Sequence, residues 1–173
     1  MKIEVYTDGS CLNNGKPSCI GGWAAVFYIG NKQYVRYGHL PAQSSNNKAE
    51  LMGILYTITT LQERKDWDIH IYSDSQYCVK GINEWRTGFE NKGFLGVANS
   101  DLFIPLFKAW DNHGKCKITW VKGHRDNVGN IAADLYAGYG MRNIDKTLTS
   151  EKECVKMLNN LNLRIDKCQS MLN

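Results

Sequence analysis

The chain has 173 residues, 43% of them hydrophobic and 22% charged, with a formal charge of +4. That length suits one domain able to bury about 70% of its unfolded surface, and the composition is that of an ordinary globular protein. The charge permits a polyanionic partner without requiring one, and neither a membrane-length apolar run nor a signal-like N-terminus is present.

The first three elements read as strands. Residues 3–8 alternate Ile3, Val5 and Thr7 against Glu4, Tyr6 and Asp8, and residues 23–28 are rich in aromatic and β-branched residues. Residues 33–39 alternate again behind a Gly30-Asn31 hairpin signal. A helix is predicted over about 47–63, where Leu51, Ile54, Leu55, Ile58 and Leu61 mark an apolar stripe. Residues 69–74 form a fourth strand, with a short helix over 75–85 and a Gly-punctuated segment over 88–96.

A further helix starts near Ser100 and stops at Gly114, and Pro105 predicts a late start or a bend within it. Residues 117–122 make a fifth strand, and a helix of small residues runs over about 128–140. Three antiparallel-looking strands followed by alternating helix and strand predict an α/β fold, a mixed five-stranded sheet with helices on both faces.

Two strands end in nearly the same word, Tyr6-Thr7-Asp8-Gly9 and Tyr72-Ser73-Asp74-Ser75. If those strands are parallel neighbours, both carboxylates emerge at one sheet edge. Either aspartate alone also reads as a turn cap. Glu50, at the rim of the apolar stripe, leans toward the sheet, and Asp134 sits in a run of small residues that permits close helix packing. Each has a plain alternative, a dipole-favouring glutamate or a solvent-facing aspartate. Four carboxylates brought together must raise their pKa values or bind cations, and an all-oxygen set suits Mg²⁺, with Mn²⁺ as the alternative. The six cysteines show no CxxC pair, which argues against zinc. They are expected as small core residues or exposed thiols of a reducing, cytoplasmic protein.

The ordered words Thr7-Asp8-Gly9-Ser10-Cys11, Asn46-Asn47-Lys48-Ala49-Glu50-Leu51, Ser73-Asp74-Ser75-Gln76-Tyr77, Trp120-Val121-Lys122-Gly123-His124, then Asn130 and Asp134, resemble type 1 ribonuclease H of the bacterial kind. The resemblance covers about residues 1–140. It implies the ribonuclease H-like fold over residues 1–141. It also implies hydrolysis of the RNA strand of RNA–DNA hybrids with two divalent ions, leaving 5′-phosphate and 3′-hydroxyl ends. Asp8, Glu50, Asp74 and Asp134 are then the metal-binding carboxylates, and His124 assists proton transfer or product departure. Cys11, Asn14, Asn46, Asn47 and Gln76 are expected to meet the hybrid's minor groove, with Ser45 near a DNA phosphate, Trp85 near DNA sugars and Asn130 contributing to binding. Short amides and hydroxyls suit a shallow groove that displays 2′-hydroxyls. His39, His70 and His113 read as structural.

The other readings are an integrase- or resolvase-like nuclease on the same fold, a reverse-transcriptase fragment, and a non-catalytic hybrid-binding or interaction module. The Thr-Asp-Gly-Ser-Cys opening and the His124 word argue against the first, and an initiating Met directly before the first strand against the second. The intact carboxylate set argues against the third.

Residues 142–173 fall outside the resemblance. Ser150 and Glu153 form a capping box, and Cys154, Leu158, Leu161, Ile165, Cys168 and Leu172 recur at helical spacing. A helical extension packed on the same domain of a monomer is expected, with self-association through 150–172 as the alternative. The segment after Trp85 is shorter than the lysine-rich protrusion of the bacterial pattern, and Arg86 and Lys92 are its basic residues. Unless Lys16, Lys122 or Arg125 compensates, a log–log titration of hybrid affinity against salt should give a shallower slope than a lysine-rich relative gives. An equally steep slope contradicts this.

Overall fold

The computed structural model describes residues 1–40, 44–123 and 127–142. Its sheet contains β1 (Lys2–Leu12), β2 (Ile20–Ile29), β3 (Lys32–Leu40), β4 (Asp68–Ser73) and β5 (Cys116–Trp120), in the order β3-β2-β1-β4-β5. β1 pairs antiparallel with β2, and β2 with β3, through the Gly30-Asn31 turn, where Gly30 has φ +61. β4 runs parallel to β1 and to β5, so the sheet is mixed, as the sequence predicts.

Side-chain alternation divides the core. Ile3, Val5, Ala25 and Phe27 face α1 (Asn46–Thr60) and α4 (Ser100–His113), which add Leu51, Ile54, Ile58, Phe103 and Leu106. The opposite sheet face, with Ala24 and Val26, packs on Ala132, Ala133, Tyr136 and Ala137 of α5 (Val128–Arg142). α1 begins where the Ser45 hydroxyl accepts the Lys48 amide, and it is buried around much of its circumference between sheet and α4.

β1 is longer than its apolar alternation suggests. It pairs with β2 as far as Leu12, so Asp8 lies within the strand rather than at its end. Asp74, by contrast, lies immediately beyond β4. α4 starts at Ser100 and runs through Pro105, without the delay that Pro105 predicts. Pro105 and Asp101 are both exposed, so the carbonyl left by the missing amide lies on the solvent side. Downstream of β4, α2 (Gln76–Lys80), a π-helical turn (Gly81–Trp85) and α3 (Arg86–Asn91) follow one another directly. The Gly-punctuated segment is thus partly helical, and Phe89 and Phe94 tie it to the core.

The cysteines correct an expectation. Cys11 and Cys19 are joined in a disulfide, because antiparallel pairing of Leu12 with Ile20 brings the two chain segments together. Among the described residues, Cys78 and Cys116 are free, the first buried and the second half-buried. No helix of the described residues is long and apolar enough to cross a membrane. The three histidines read as structural fit that role: His39 binds the Gly140 and Met141 carbonyls, His113 the Arg64 carbonyl, and His70 the Thr119 hydroxyl. The predicted extension over 142–173 lies, apart from Arg142, outside the described residues.

The α5–sheet contact depends on Gly22, where an added Cβ would stand 2.2 Å from the Ala137 carbonyl oxygen and the Met141 nitrogen. Backbone on both sides leaves nothing flexible to yield. Gly22→Ala should therefore lower unfolding free energy by about 2 kcal/mol or more in a urea titration. Gly88→Ala, with nothing within 4 Å and within α3, should instead raise it by about 0.5–1 kcal/mol.

Candidate active site

The parallel ladder of β1 and β4 ends on the pair Thr7–Ser73, so Asp8 and Asp74 leave it at the same level. Glu50 arrives from α1. Gly9 has no side chain between the two elements, and a Cβ there would lie 2.5 Å from the Glu50 amide nitrogen and 2.8 Å from the Ala49 carbonyl carbon. β1 and α1 thus meet backbone to backbone. Asp8, Glu50 and Asp74 each bring one carboxylate oxygen into a group whose members all lie within 4.8 Å of one another.

Asp8 and Glu50 are buried, at 3% and 4% exposure, while Asp74 is half-buried. Asp8 Oδ1 accepts the Gly9 amide at 2.8 Å, but Asp8 Oδ2 and Glu50 Oε2 are buried without a hydrogen-bond donor. Burial pushes the Asp8 carboxyl up to about 7, with the Asp74 charge adding to it and the Asp134 charge adding less. Burial also raises Glu50 well above the usual carboxylate range, followed by the charge of Asp8. Like charges ~4 Å apart repel by about 4 kcal/mol at an effective dielectric near 20. The group therefore lacks positive charge, and the orphaned oxygens are where a cation would ligate. Hard oxygen donors fit Mg²⁺ or Mn²⁺.

Asp134 stands apart from this tight group. It is exposed on α5, outside the three-carboxylate cluster, yet near enough for its charge to act on Asp8. His124 lies outside the described residues.

The residues expected to meet nucleic acid divide into three sets. The Asn14 side-chain oxygen accepts the Asn46 amide at 3.1 Å, joining the β1–β2 loop to the start of α1. Ser45 and Asn47 flank Asn46, half-buried, on the same helix start as Glu50. Gln76 is exposed at the start of α2, and Trp85 is 37% exposed at the end of the π-helical turn, edge-on to Tyr77.

Cys11 and Asn130 depart from expectation. The Cys11 sulfur is bonded to Cys19 and has no S–H to donate. Asn130 is fully buried in the first turn of α5, where its backbone amide donates to the Asn127 side-chain oxygen.

Sequence reasoning missed the neighbours that shape the cluster. A Cβ at Gly123 would lie 2.7 Å from Asp74 Oδ2, and the Trp120 indole donates to the Asp74 carbonyl at 3.1 Å. Glycine directly after a strand carboxylate was the available signal for Gly9, since glycine inside a strand marks close backbone approach. Of the two basic residues after Trp85, Arg86 is held by Glu90 at 2.7 Å and Asp111 at 2.5 Å and lies over the Phe107 ring. Its charge is largely neutralised within the fold.

A family model described as RNase H matches residues 1–142. The ribonuclease H of Campylobacter jejuni (strain 81-176) is 40% identical over 136 residues, covering 78% of this chain and 88% of that protein. Among solved structures, LC9-RNase H1, described as a type 1 RNase H with the type 2 active-site motif, has a TM-score of 0.73 at 22% identity. That likeness covers 88% of this chain and 79% of that one. LC11-RNase H1 in complex with RNA/DNA hybrid has a TM-score of 0.59 at 17% identity, covering 81% of this chain and 96% of that one. The structural likenesses show a common fold. The length of the family match and the identity to the Campylobacter protein go further, and the chain belongs to the ribonuclease H family.

Proposed function

We propose that this protein is an endonuclease that hydrolyses the RNA strand of RNA–DNA hybrids with two divalent cations. The observation that carries the reading is the cluster of Asp8, Glu50 and Asp74, two of whose buried oxygens have no donor. Mg²⁺ or Mn²⁺ would be held by these three carboxylates, with Asp134 at the rim, and would supply activation of water and neutralisation of charge on the departing oxygen.

The chain's own groups do the positioning. Gly9 lets β1 close on the α1 backbone at Glu50, and Gly123 leaves the space beside the Asp74 carboxylate that a side chain would fill. The Asn14–Asn46 hydrogen bond locks the β1–β2 loop to the helix that carries Glu50. In this reading Asn14, Ser45, Asn46, Asn47 and Gln76 present short amides and hydroxyls to 2′-hydroxyls and phosphates, and Trp85 lies against deoxyribose. Cys11 and Asn130 are left out of the contact set. Water adds to phosphorus, the bond to the 3′ oxygen breaks, and that oxygen leaves as a hydroxyl after taking a proton. The ends are a 3′-hydroxyl and a 5′-phosphate. His124 is assigned the proton transfer or product departure.

Labelled RNA–DNA hybrid, RNA–RNA, DNA–DNA and single strands, each with Mg²⁺ and then with EDTA, test the assignment directly. Cleavage confined to the RNA of the hybrid and abolished by EDTA is expected; equal cleavage of DNA duplex would refute it. Asp8→Asn should remove activity by a factor of at least about 10³. The same change relieves repulsion while keeping an oxygen for the Gly9 amide. In EDTA it should therefore raise the unfolding free energy by on the order of 1–3 kcal/mol. Mg²⁺ should raise the melting temperature of the wild type more than that of the variant. Loss of stability in the EDTA arm would contradict the electrostatic argument.

A further inference from the structure

The inner side of α5 is packed on the sheet, yet its outer side is also apolar. Val128, Ile131, Leu135 and Tyr139 are 74%, 48%, 57% and 40% exposed. At about 100° per residue these four positions fall within an arc of about 80°, so they form one stripe rather than scattered contacts. The Tyr139 ring meets Tyr37 edge-on at one end of the stripe. A continuous exposed stripe on a helix marks a surface that something covers.

The chain itself carries a matching segment. Beyond Arg142, where the family match also ends, the sequence continues for 31 residues to Asn173. Ser150 and Glu153 match the capping-box pattern in sequence, and Cys154, Leu158, Leu161 and Ile165 follow at spacings of four, three and four. On α5 the stripe positions are separated by three, four and four. If a helix beginning near Ser150 turns back antiparallel on α5, Tyr139 falls opposite Cys154 and Leu135 opposite Leu158. Ile131 then falls opposite Leu161 and Val128 opposite Ile165. That arrangement leaves residues 143–149 for the connection, a length within the roughly 2–8 residues that join antiparallel helices.

We propose that residues 150–172 form a helix that covers the outer stripe of α5 within the same chain. The occupant is the chain's own tail rather than a second copy because the short connection holds it at an effective concentration on the order of millimolar. Asp134 lies about 60° to the side of Ile131 around the helix, so the tail leaves it open toward Asp8. The inference does not depend on the proposed nuclease activity.

The test uses the full-length protein in brief, single-cut trypsin digestion read by mass, which scores first cuts at Lys152, Lys156, Arg164 and Lys167 apart from cuts at Arg142 and Lys146 that sever the connection. Leu135→Gln and Leu158→Gln should each speed cleavage within 152–167 by about tenfold, while the body up to Arg142 stays intact. The double variant should be cut less than about a hundredfold faster, well short of the product of the single effects, because Leu135 and Leu158 lose the same contact. Ile104→Gln, altering a residue 49% exposed on α4, should leave tail cleavage unchanged. Sedimentation should show a monomer, with cleavage rates independent of protein concentration. Unchanged tail cleavage in Leu135→Gln, equal acceleration by Ile104→Gln, or protection that vanishes on dilution would each overturn the proposal.

Discussion

The backbone contact between β1 and α1 at Gly9 is the constraint on which the site depends. Any side chain at this position would collide with the first turns of the helix and move Glu50 away from Asp8. The contact also explains how residues of one cluster come from both layers: β1 and β4 bring Asp8 and Asp74 to a common level, and the helix packed on them adds the third carboxylate. A sheet edge alone would have held two carboxylates side by side in solvent, with their mutual repulsion but no burial to raise their pKa values.

Closeness of that kind works against stability while it serves binding. Buried oxygens without donors and mutually repelling charges are features a fold keeps where a ligand supplies what they lack. The surroundings are built to hold that arrangement. Thr7 and Ser73 are fully buried beneath the carboxylates, and the apolar cluster of Ile3, Val5, Ile69 and Ile71 anchors the same two strands. The loops nearer the surface are tied by single hydrogen bonds, such as that between Asn14 and Asn46, and by the Cys11–Cys19 bond.

The helical layer shows a related division. α1 is covered by sheet and α4, and two of its threonines donate their hydroxyls to its own carbonyls, Thr57 to Gly53 and Thr59 to Leu55. α5 rests on the other face through alanines, glycines and Tyr136, which bring its backbone close to the sheet, while Val128, Ile131, Leu135 and Tyr139 stay outside. The charge of Arg86 is drawn inward by Glu90 and Asp111, so the segment after Trp85 is braced rather than cationic.

The amino-acid sequence by itself determined the strand and helix order, the two similar words that carry Asp8 and Asp74, the glutamate on the apolar rim of α1, and the family words that contain them. These are local patterns: period-two and period-3.6 alternation, turn residues and short motifs carry their information within a few positions. Only the tertiary structure decided that Asp8 lies inside a longer strand, since pairing with β2 extends β1 past its apolar run. It also decided that Asn130 is buried, that Cys11 meets Cys19, and that Asp134 stands outside the tight carboxylate group. Each of those outcomes depends on which segment packs against which, and burial, pairing and mutual distance are properties of contacts between residues far apart in the chain.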